Sequence, residues 1–262
     1  MPIMEGRRGL VMGVANDHSI AWGVARTLHA HGARIAISYQ GEAFGRRVTP
    51  LAESIDAITV PADVGDPASL DAAFEQIAAK WETIDFIVHA IAYSDRNELQ
   101  GRFANTTREN FLRSMDVSCY SFIDVTRRAA ELMPNGGAAL TMSYLGAERV
   151  MPNYNVMGVA KAALEASVRY LAADFGPVGV RVNALSPGPM RTLAGSAVGG
   201  ARRVYKRSAE TAPLRRNPTL DEVGGAALFL LSPLGGAVTG EVMFVDGGFH
   251  AVGMPPIDEG AA

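Results

Sequence analysis

Residues 9–23 read Gly9-Leu-Val-Met-Gly13-Val-Ala-Asn-Asp-His-Ser19-Ile20-Ala21-Trp22-Gly23. The apolar run from Gly9 to Val14, with a glycine near its end, predicts a short buried parallel strand. From Ile20 to His31 the apolar residues recur at helical spacing, and the pattern stops at Gly32. Strand, glycine turn and helix therefore follow within one βα unit. The same alternation continues to the end of the chain. Further strands are expected at Ala33–Tyr39, Ala57–Val60, Ile84–Ala90, Ala138–Ser143, Val180–Leu185 and Glu241–Val245. Helices are expected at Glu42–Glu53, Pro67–Lys80 with Asp66 as N-cap, Arg108–Leu132, Tyr154–Phe175, Arg202–Glu210 and Leu220–Leu231. Alternation of this kind predicts an α/β fold: a single-domain, Rossmann-type, doubly wound parallel sheet of about seven strands with helices on both faces. No linker, repeat or low-complexity segment interrupts it, so residues 1–262 read as one domain. Residues 187–218 read as irregular apart from the short helix at Arg202–Glu210. Within them, Gly195, Gly199 and Gly200 give 191–212 the freedom of a lid.

Composition narrows the function. A chain of 262 residues with 48% hydrophobic content builds a sizeable core. The formal charge of −3 gives no reason to expect nucleic acid or an anionic membrane surface as partner. One cysteine, Cys119, excludes an internal disulfide and fits a reducing, cytoplasmic compartment; it reads as buried filler. The N-terminus lacks signal-peptide architecture, and no apolar run is long enough to span a bilayer. The five histidines show no metal-ligand spacing, so no metal is expected.

The turn after the first strand is a dinucleotide-site candidate. A glycine there lets backbone approach a pyrophosphate, and the next helix offers free N–H groups and a positive dipole end. The spacing is not Gly-x-Gly-x-x-Gly, and glycine turns also simply close βα units. The end of the second strand discriminates between cofactors. An acidic residue there usually holds a ribose hydroxyl, whereas arginine accepts a 2′-phosphate. Here Gln40 is followed by Gly41 and Glu42. A neutral amide suits a hydroxyl and Glu42 repels a phosphate, which favours NADH over NADPH. Arg46 and Arg47 argue the other way unless the helix carries them into solvent.

The stretch 143–161 carries the chemistry: Ser143-Tyr144-Leu-Gly-Ala-Glu-Arg-Val-Met-Pro-Asn153-Tyr154-Asn-Val-Met-Gly-Val-Ala-Lys161. With Asn153 as N-cap, Tyr154 and Lys161 fall about two turns apart on one helix face, roughly 10 Å along the axis. A phenol beside an ammonium makes a proton-donor site, and the cation is expected to lower the tyrosine pKa. A pair at this spacing also occurs by chance on many helices.

Tyr154-x6-Lys161 behind a βαβ-rich N-terminal half resembles the short-chain dehydrogenase/reductase superfamily. The longer stretches Ser-Tyr-Leu-Gly-Ala-Glu-Arg and Pro-Asn-Tyr-Asn-Val-Met-Gly-x-Ala-Lys resemble one branch, the bacterial NADH-dependent enoyl-[acyl-carrier-protein] reductases. The resemblance runs from Gly9 to about Gly248. It implies a cytoplasmic homotetramer that reduces the trans-2 double bond of enoyl thioesters carried on acyl carrier protein. It implies that Gly13, Ser19 and Ile20 line the pyrophosphate, that Asp63 and Val64 take the adenine, and that Ile91 contacts the ribose. Met190, Arg191 and Thr192 would hold the carboxamide and phosphate of the nicotinamide half. Tyr154 would be the donor to the thioester oxygen, Lys161 would bond the nicotinamide ribose, and Tyr144 would stand at the substrate as donor or wall. Tyr93 and Ser94 fall at the substrate pocket, where the branch often has small or Phe residues. Pro187 stands where it often has Ala.

The chain also departs from ordinary members of the superfamily. After the fourth strand it has His89-Ala90-Ile91-Ala92 rather than Asn-Ala-Gly, and Thr141 replaces the catalytic serine 13 residues before the tyrosine. These departures favour C=C over C=O reduction. A 3-oxoacyl or other carbonyl reductase, or a nucleotide-binding paralogue without turnover, are the alternatives. The cluster Arg202, Arg203, Lys206 and Arg207 is either a docking patch for an acidic carrier protein or a solvated basic face.

Overall fold

The computed structural model describes residues 2–193, 195 and 199–254. Seven strands form one sheet in the order β3-β2-β1-β4-β5-β6-β7. They are β1 (Arg8–Met12), β2 (Arg34–Tyr39), β3 (Ile58–Pro61), β4 (Phe86–His89), β5 (Gly137–Met142), β6 (Val180–Pro187) and β7 (Val242–Val245). Every pairing is parallel. The helices are α1 (Ile20–Ala30), α2 (Gly41–Glu53), α3 (Pro67–Trp81), α4 (Arg108–Met115), α5 (Ser121–Glu131), α6 (Val156–Phe175), α7 (Ala201–Thr211) and α8 (Leu220–Leu231). The predicted order of elements is the observed one.

The strands are apolar on both faces because helices cover both. Leu10 and Val11 are neighbours in β1, 1% and 0% exposed, yet they belong to separate core clusters. Successive side chains of a strand point to opposite faces, so one packs with α3, α5 and α6 and the other with α1, α2 and α8. Each such fully buried aliphatic side chain contributes roughly 1.5–3 kcal/mol.

Local capping sets several boundaries. The Asp66 carboxylate accepts from Ala68 N at 3.0 Å, with Pro67 at the first helical position of α3. Thr219 and Glu222 form a reciprocal capping box at α8.

Two expectations need correction. The helix predicted over Arg108–Leu132 is divided by a five-residue π-helical turn, Asp116–Tyr120. The Ser118 hydroxyl accepts from Tyr93 N at 2.9 Å and donates to Tyr93 O at 3.1 Å. Ser121 Oγ donates to Val117 O at 2.7 Å. The widened turn thus brings Ser118 to the loop after β4, a tertiary demand that periodicity does not carry. The second correction concerns α6, which begins at Val156 rather than Tyr154. Asn155, not Asn153, is at its cap. Asn153 (φ +57°) and Asn155 (φ +42°) both occupy left-handed backbone, which ends any helix there.

The strand order reverses between β1 and β4, whose carboxyl ends lie side by side with Met12 paired to His89. Open parallel sheets bind ligands at such a switch point.

Candidate active site

The β1–α1 turn is built from backbone. Gly13 has φ +98°, and a Cβ there would lie 2.1 Å from Ala90 O at the end of β4. Only glycine permits this approach. Ser19 is 5% exposed, and its hydroxyl accepts from Ala15 N at 3.0 Å and Asn16 N at 3.1 Å. That hydroxyl also donates to Asn16 Oδ1 at 3.3 Å. Ser19 therefore shapes the loop and provides no side-chain cap to α1. The first-turn N–H groups beginning at Ile20 receive no cap from the Ser19 side chain and lie at the dipole's positive end, a place that suits an anion.

At the end of β2, exposed Gln40 donates Nε2 to Asp63 Oδ2 at 2.9 Å. Asp63 Oδ1 accepts from Gly65 N at 2.9 Å. The structure thus joins two residues 23 apart into one polar rim. Val64 and Ile91 are half-buried and pack against the same core cluster beside it. Glu42 pairs with Arg46 at 2.6 Å, both side chains more than 70% exposed. Arg47 lies 6.0 Å from the Phe44 ring. Both arginines have partners on their own helix. An uncapped helix start, a glycine without room for a Cβ, a carboxylate–amide rim and two apolar walls fit a dinucleotide of the NADH type. Met190 packs against the core cluster on the α1 face, and Thr192 accepts from Gly195 N at 2.9 Å. Arg191 lies over the Tyr205 ring at 4.7 Å. Of the expected lid, residues 194 and 196–198 lie outside the described residues.

The β5–α6 side is built from side chains. Tyr144 and Tyr154 meet edge to face, their ring centroids 4.9 Å apart. A Cβ on Gly146 would meet the Tyr154 ring at 2.4 Å, so that glycine makes room for the tyrosine. Lys161 is 5% exposed, and Nζ donates to Met142 O at 2.6 Å. Burial pushes the Lys161 pKa down to about 8, while Cys119 and Glu165 act in the opposite direction. Burial pushes Tyr144 up to about 12. Tyr154 is also raised, by burial first and then by the charges of Tyr144 and Glu165. The expectation that Lys161 lowers the Tyr154 pKa is therefore not met. Desolvation outweighs the cation, whose head is turned to a carbonyl at the end of β5. Tyr154 stays a neutral phenol, a proton donor.

Ser94 and Tyr93 lie in the loop after β4. Ser94 Oγ donates to Asn110 Oδ1 at 3.2 Å, and Arg113 lies 4.5 Å from the Tyr93 ring. Several supporting residues have no motif to announce them. His89 is fully buried, with Nε2 2.8 Å from Ser121 Oγ and Nδ1 3.3 Å from Thr141 Oγ1. Its pKa is pushed down to about 3 by burial and then by Lys161, so it is neutral. Asn153 donates to Gly199 O at 2.7 Å, and Asn155 to Glu98 O at 3.2 Å. The one available signal was Asn-Tyr-Asn itself, since asparagine tolerates left-handed backbone better than most residues.

Among the described residues no group of three or more His, Cys, Asp or Glu is placed to hold a metal ion, and no helix is long and apolar enough to cross a membrane.

A parallel sheet with a glycine-lined switch point, a half-buried tyrosine and a buried lysine seven residues on defines an oxidoreductase of the short-chain dehydrogenase/reductase class. The comparisons narrow it. The family described as "Enoyl-(Acyl carrier protein) reductase" matches residues 13–250. The chain is 55% identical over 257 residues to enoyl-[acyl-carrier-protein] reductase [NADH] 2 of Rhizobium meliloti, covering 98% of this chain and 96% of that protein. The crystal structure of FabI from Candidatus Liberibacter asiaticus superposes with a TM-score of 0.96 at 52% identity, covering 98% of this chain and 100% of that one. The enoyl-(acyl-carrier-protein) reductase of Anaplasma phagocytophilum, solved in complex with NAD, gives a TM-score of 0.94 at 52% identity, covering 98% and 96%. The chain belongs to the enoyl-[acyl-carrier-protein] reductase family, and is an enzyme of its NADH-dependent branch.

Proposed function

We propose that this site reduces the trans-2 double bond of an enoyl thioester carried on acyl carrier protein, in fatty-acid biosynthesis. The observation that carries the reading is Tyr154, a half-buried phenol that meets Tyr144 edge to face at 4.9 Å in the connection after β5. NADH, when bound, supplies the hydride that goes to Cβ. Negative charge then develops on the thioester oxygen. Tyr154 donates its O–H to that oxygen, and the desolvation that raises its pKa also strengthens the bond to a developing anion. Tyr144, one ring away, shapes the same pocket and fixes the Tyr154 ring. Lys161 holds a cation behind them and bonds the nicotinamide ribose. Gly13, Ser19 and Ile20 form the pyrophosphate turn, with Gln40, Asp63, Val64 and Ile91 at the adenosine end. Met190 and Thr192 serve the nicotinamide half, and Ser94 the acyl substrate.

Residues 1–262 act in this reading as one cytoplasmic domain with a lid at 191–212, assembled as a homotetramer. The exposed Arg202, Arg203, Lys206 and Arg207 of α7 suit an acidic carrier protein. The test follows NADH absorbance with crotonyl- and 2-dodecenoyl-thioesters beside an acetoacetyl-thioester, with NADPH in parallel. Oxidation with the enoyl substrates alone is expected; turnover of the acetoacetyl substrate alone moves the site to carbonyl reduction.

A further inference from the structure

Glu165 is a buried carboxylate that the reaction above leaves without a task. It is 7% exposed and sits four residues beyond Lys161 on α6, one turn along the same face. The Ser143 hydroxyl donates to its Oε1. Ser143 is itself 6% exposed, and its N–H donates to Leu185 O at 2.6 Å. The next residue is Tyr144, whose ring meets Tyr154. One carboxylate thus grips the residue before one tyrosine and stands a turn away from the lysine. An aliphatic residue fills such a position without the desolvation cost of a carboxylate.

We propose that Glu165 is a positioning residue: a carboxylate tether that holds the Ser143–Tyr144 segment against α6 and acts on Lys161 from one turn along the same helix face. The inference rests on the catalytic reading of Tyr154 and Lys161. The charged and titratable groups around it and Lys161 come from five places. Lys161 and Arg169 lie on its own helix, and Glu148 lies in the turn after Tyr144. Tyr154 precedes the helix and is coupled to Glu165. Cys119 of the π-helical turn and His89 of β4 are coupled electrostatically to Lys161. Burial raises the Glu165 pKa most, Ser143 lowers it, Glu148 raises it, and Arg169 and Lys161 lower it. The carboxylate in turn raises the Lys161 pKa against burial.

Glu165→Gln removes the charge and keeps an oxygen for Ser143. Ser143→Ala removes the tether and keeps the charge. Melting temperature, NADH Kd and the pH dependence of kcat are measured for both. In Glu165→Gln the alkaline limb of kcat, set by Lys161 near pH 8, is expected to move down by about half a pH unit or more, with kcat at pH 6.5 within about threefold. In Ser143→Ala the limb stays and kcat falls about tenfold, with NADH Kd within about twofold. A limb present in the wild type and unmoved in Glu165→Gln overturns the proposal, whatever the melting temperature does. Should Glu165→Gln fail to fold, Ser143→Ala decides alone, and an unchanged kcat overturns the tether. A wild-type profile without an alkaline limb removes the reading of Lys161, and this inference with it.

Discussion

Two strand–helix junctions of the same sheet solve different problems. Between β1 and α1 the connection spans residues 13–19, and nearly everything in it is backbone. Gly13 lies against β4, the Ser19 hydroxyl is spent within the loop, and the helix start is left uncapped. Between β5 and α6 the connection spans 143–155, and its content is side chains. Two tyrosines meet edge to face and two asparagines take left-handed backbone, while the helix that follows buries a lysine and a glutamate. A polyanionic cofactor needs many weak donors and a dipole, which the peptide backbone provides without titrating. A proton donor needs one group of tuned acidity, which only a side chain in a chosen dielectric provides. In the proposed reaction the first junction binds and the second reacts.

If that division holds, lesions in the two junctions separate in kinetics. Tyr154→Phe removes the donor and is expected to lower kcat by about 10²- to 10³-fold while NADH Kd stays within about twofold. Stopped-flow turnover beside a fluorescence titration measures both, and a comparable loss of NADH affinity breaks the division. Gly13→Ala is the converse. Its Cβ meets Ala90 O in a backbone conformation disfavoured for alanine, so NADH Kd should rise more than about tenfold and the melting temperature fall by roughly 5–10 °C. Unaltered binding by calorimetry sinks the backbone account of the first junction.

The pH response sharpens the second junction. Lys161 has a folded pKa of about 8 against an ordinary value of 10.5. Below about pH 8 its burial as a cation costs stability in full. Between about 8 and 10.5 the unfolded chain holds a proton that the folded one has released, so this cost is relieved as pH rises. If Lys161 must be charged for turnover, activity is expected to run the other way, with kcat falling above about pH 8. Lys161→Met should therefore gain about 1–2 kcal/mol relative to wild type at pH 7 and lose most of that advantage by pH 10, read from urea midpoints. A gap that does not narrow assigns the alkaline limb to another group. The smallest effect belongs to Asn155. Both Asn155→Ala and Asn155→Gly lose the bond to Glu98 O, and alanine at φ +42° should leave the first about 1 kcal/mol less stable than the second. Equal melting temperatures for the two variants place the strain elsewhere.

Much of this molecule is readable along the chain. The strand–helix order follows from apolar periodicity, because helices on both faces make each strand apolar throughout. Asp66 before Pro67 marks the start of α3 by local chemistry alone. The tyrosine and lysine are evident from their motif, Gln40 from its place at a strand end, and Asp63 only through the family resemblance. What sequence reading misplaced lies where tertiary contacts override local preference. Tyr154 sits outside the helix because two asparagines pinned to Gly199 and Glu98 turn the backbone before it. The long helix widens at Asp116–Tyr120 because Ser118 must reach Tyr93.

The sequence by itself determined the sheet, its order of elements and the chemical types at the site, since periodicity, caps and short motifs depend on near neighbours. Only the tertiary structure decided the electrostatics: a phenol made less acidic, a lysine brought to about 8, a histidine kept neutral and a glutamate bonded to Ser143. Desolvation depends on everything packed around a group, and no spacing along the chain records it.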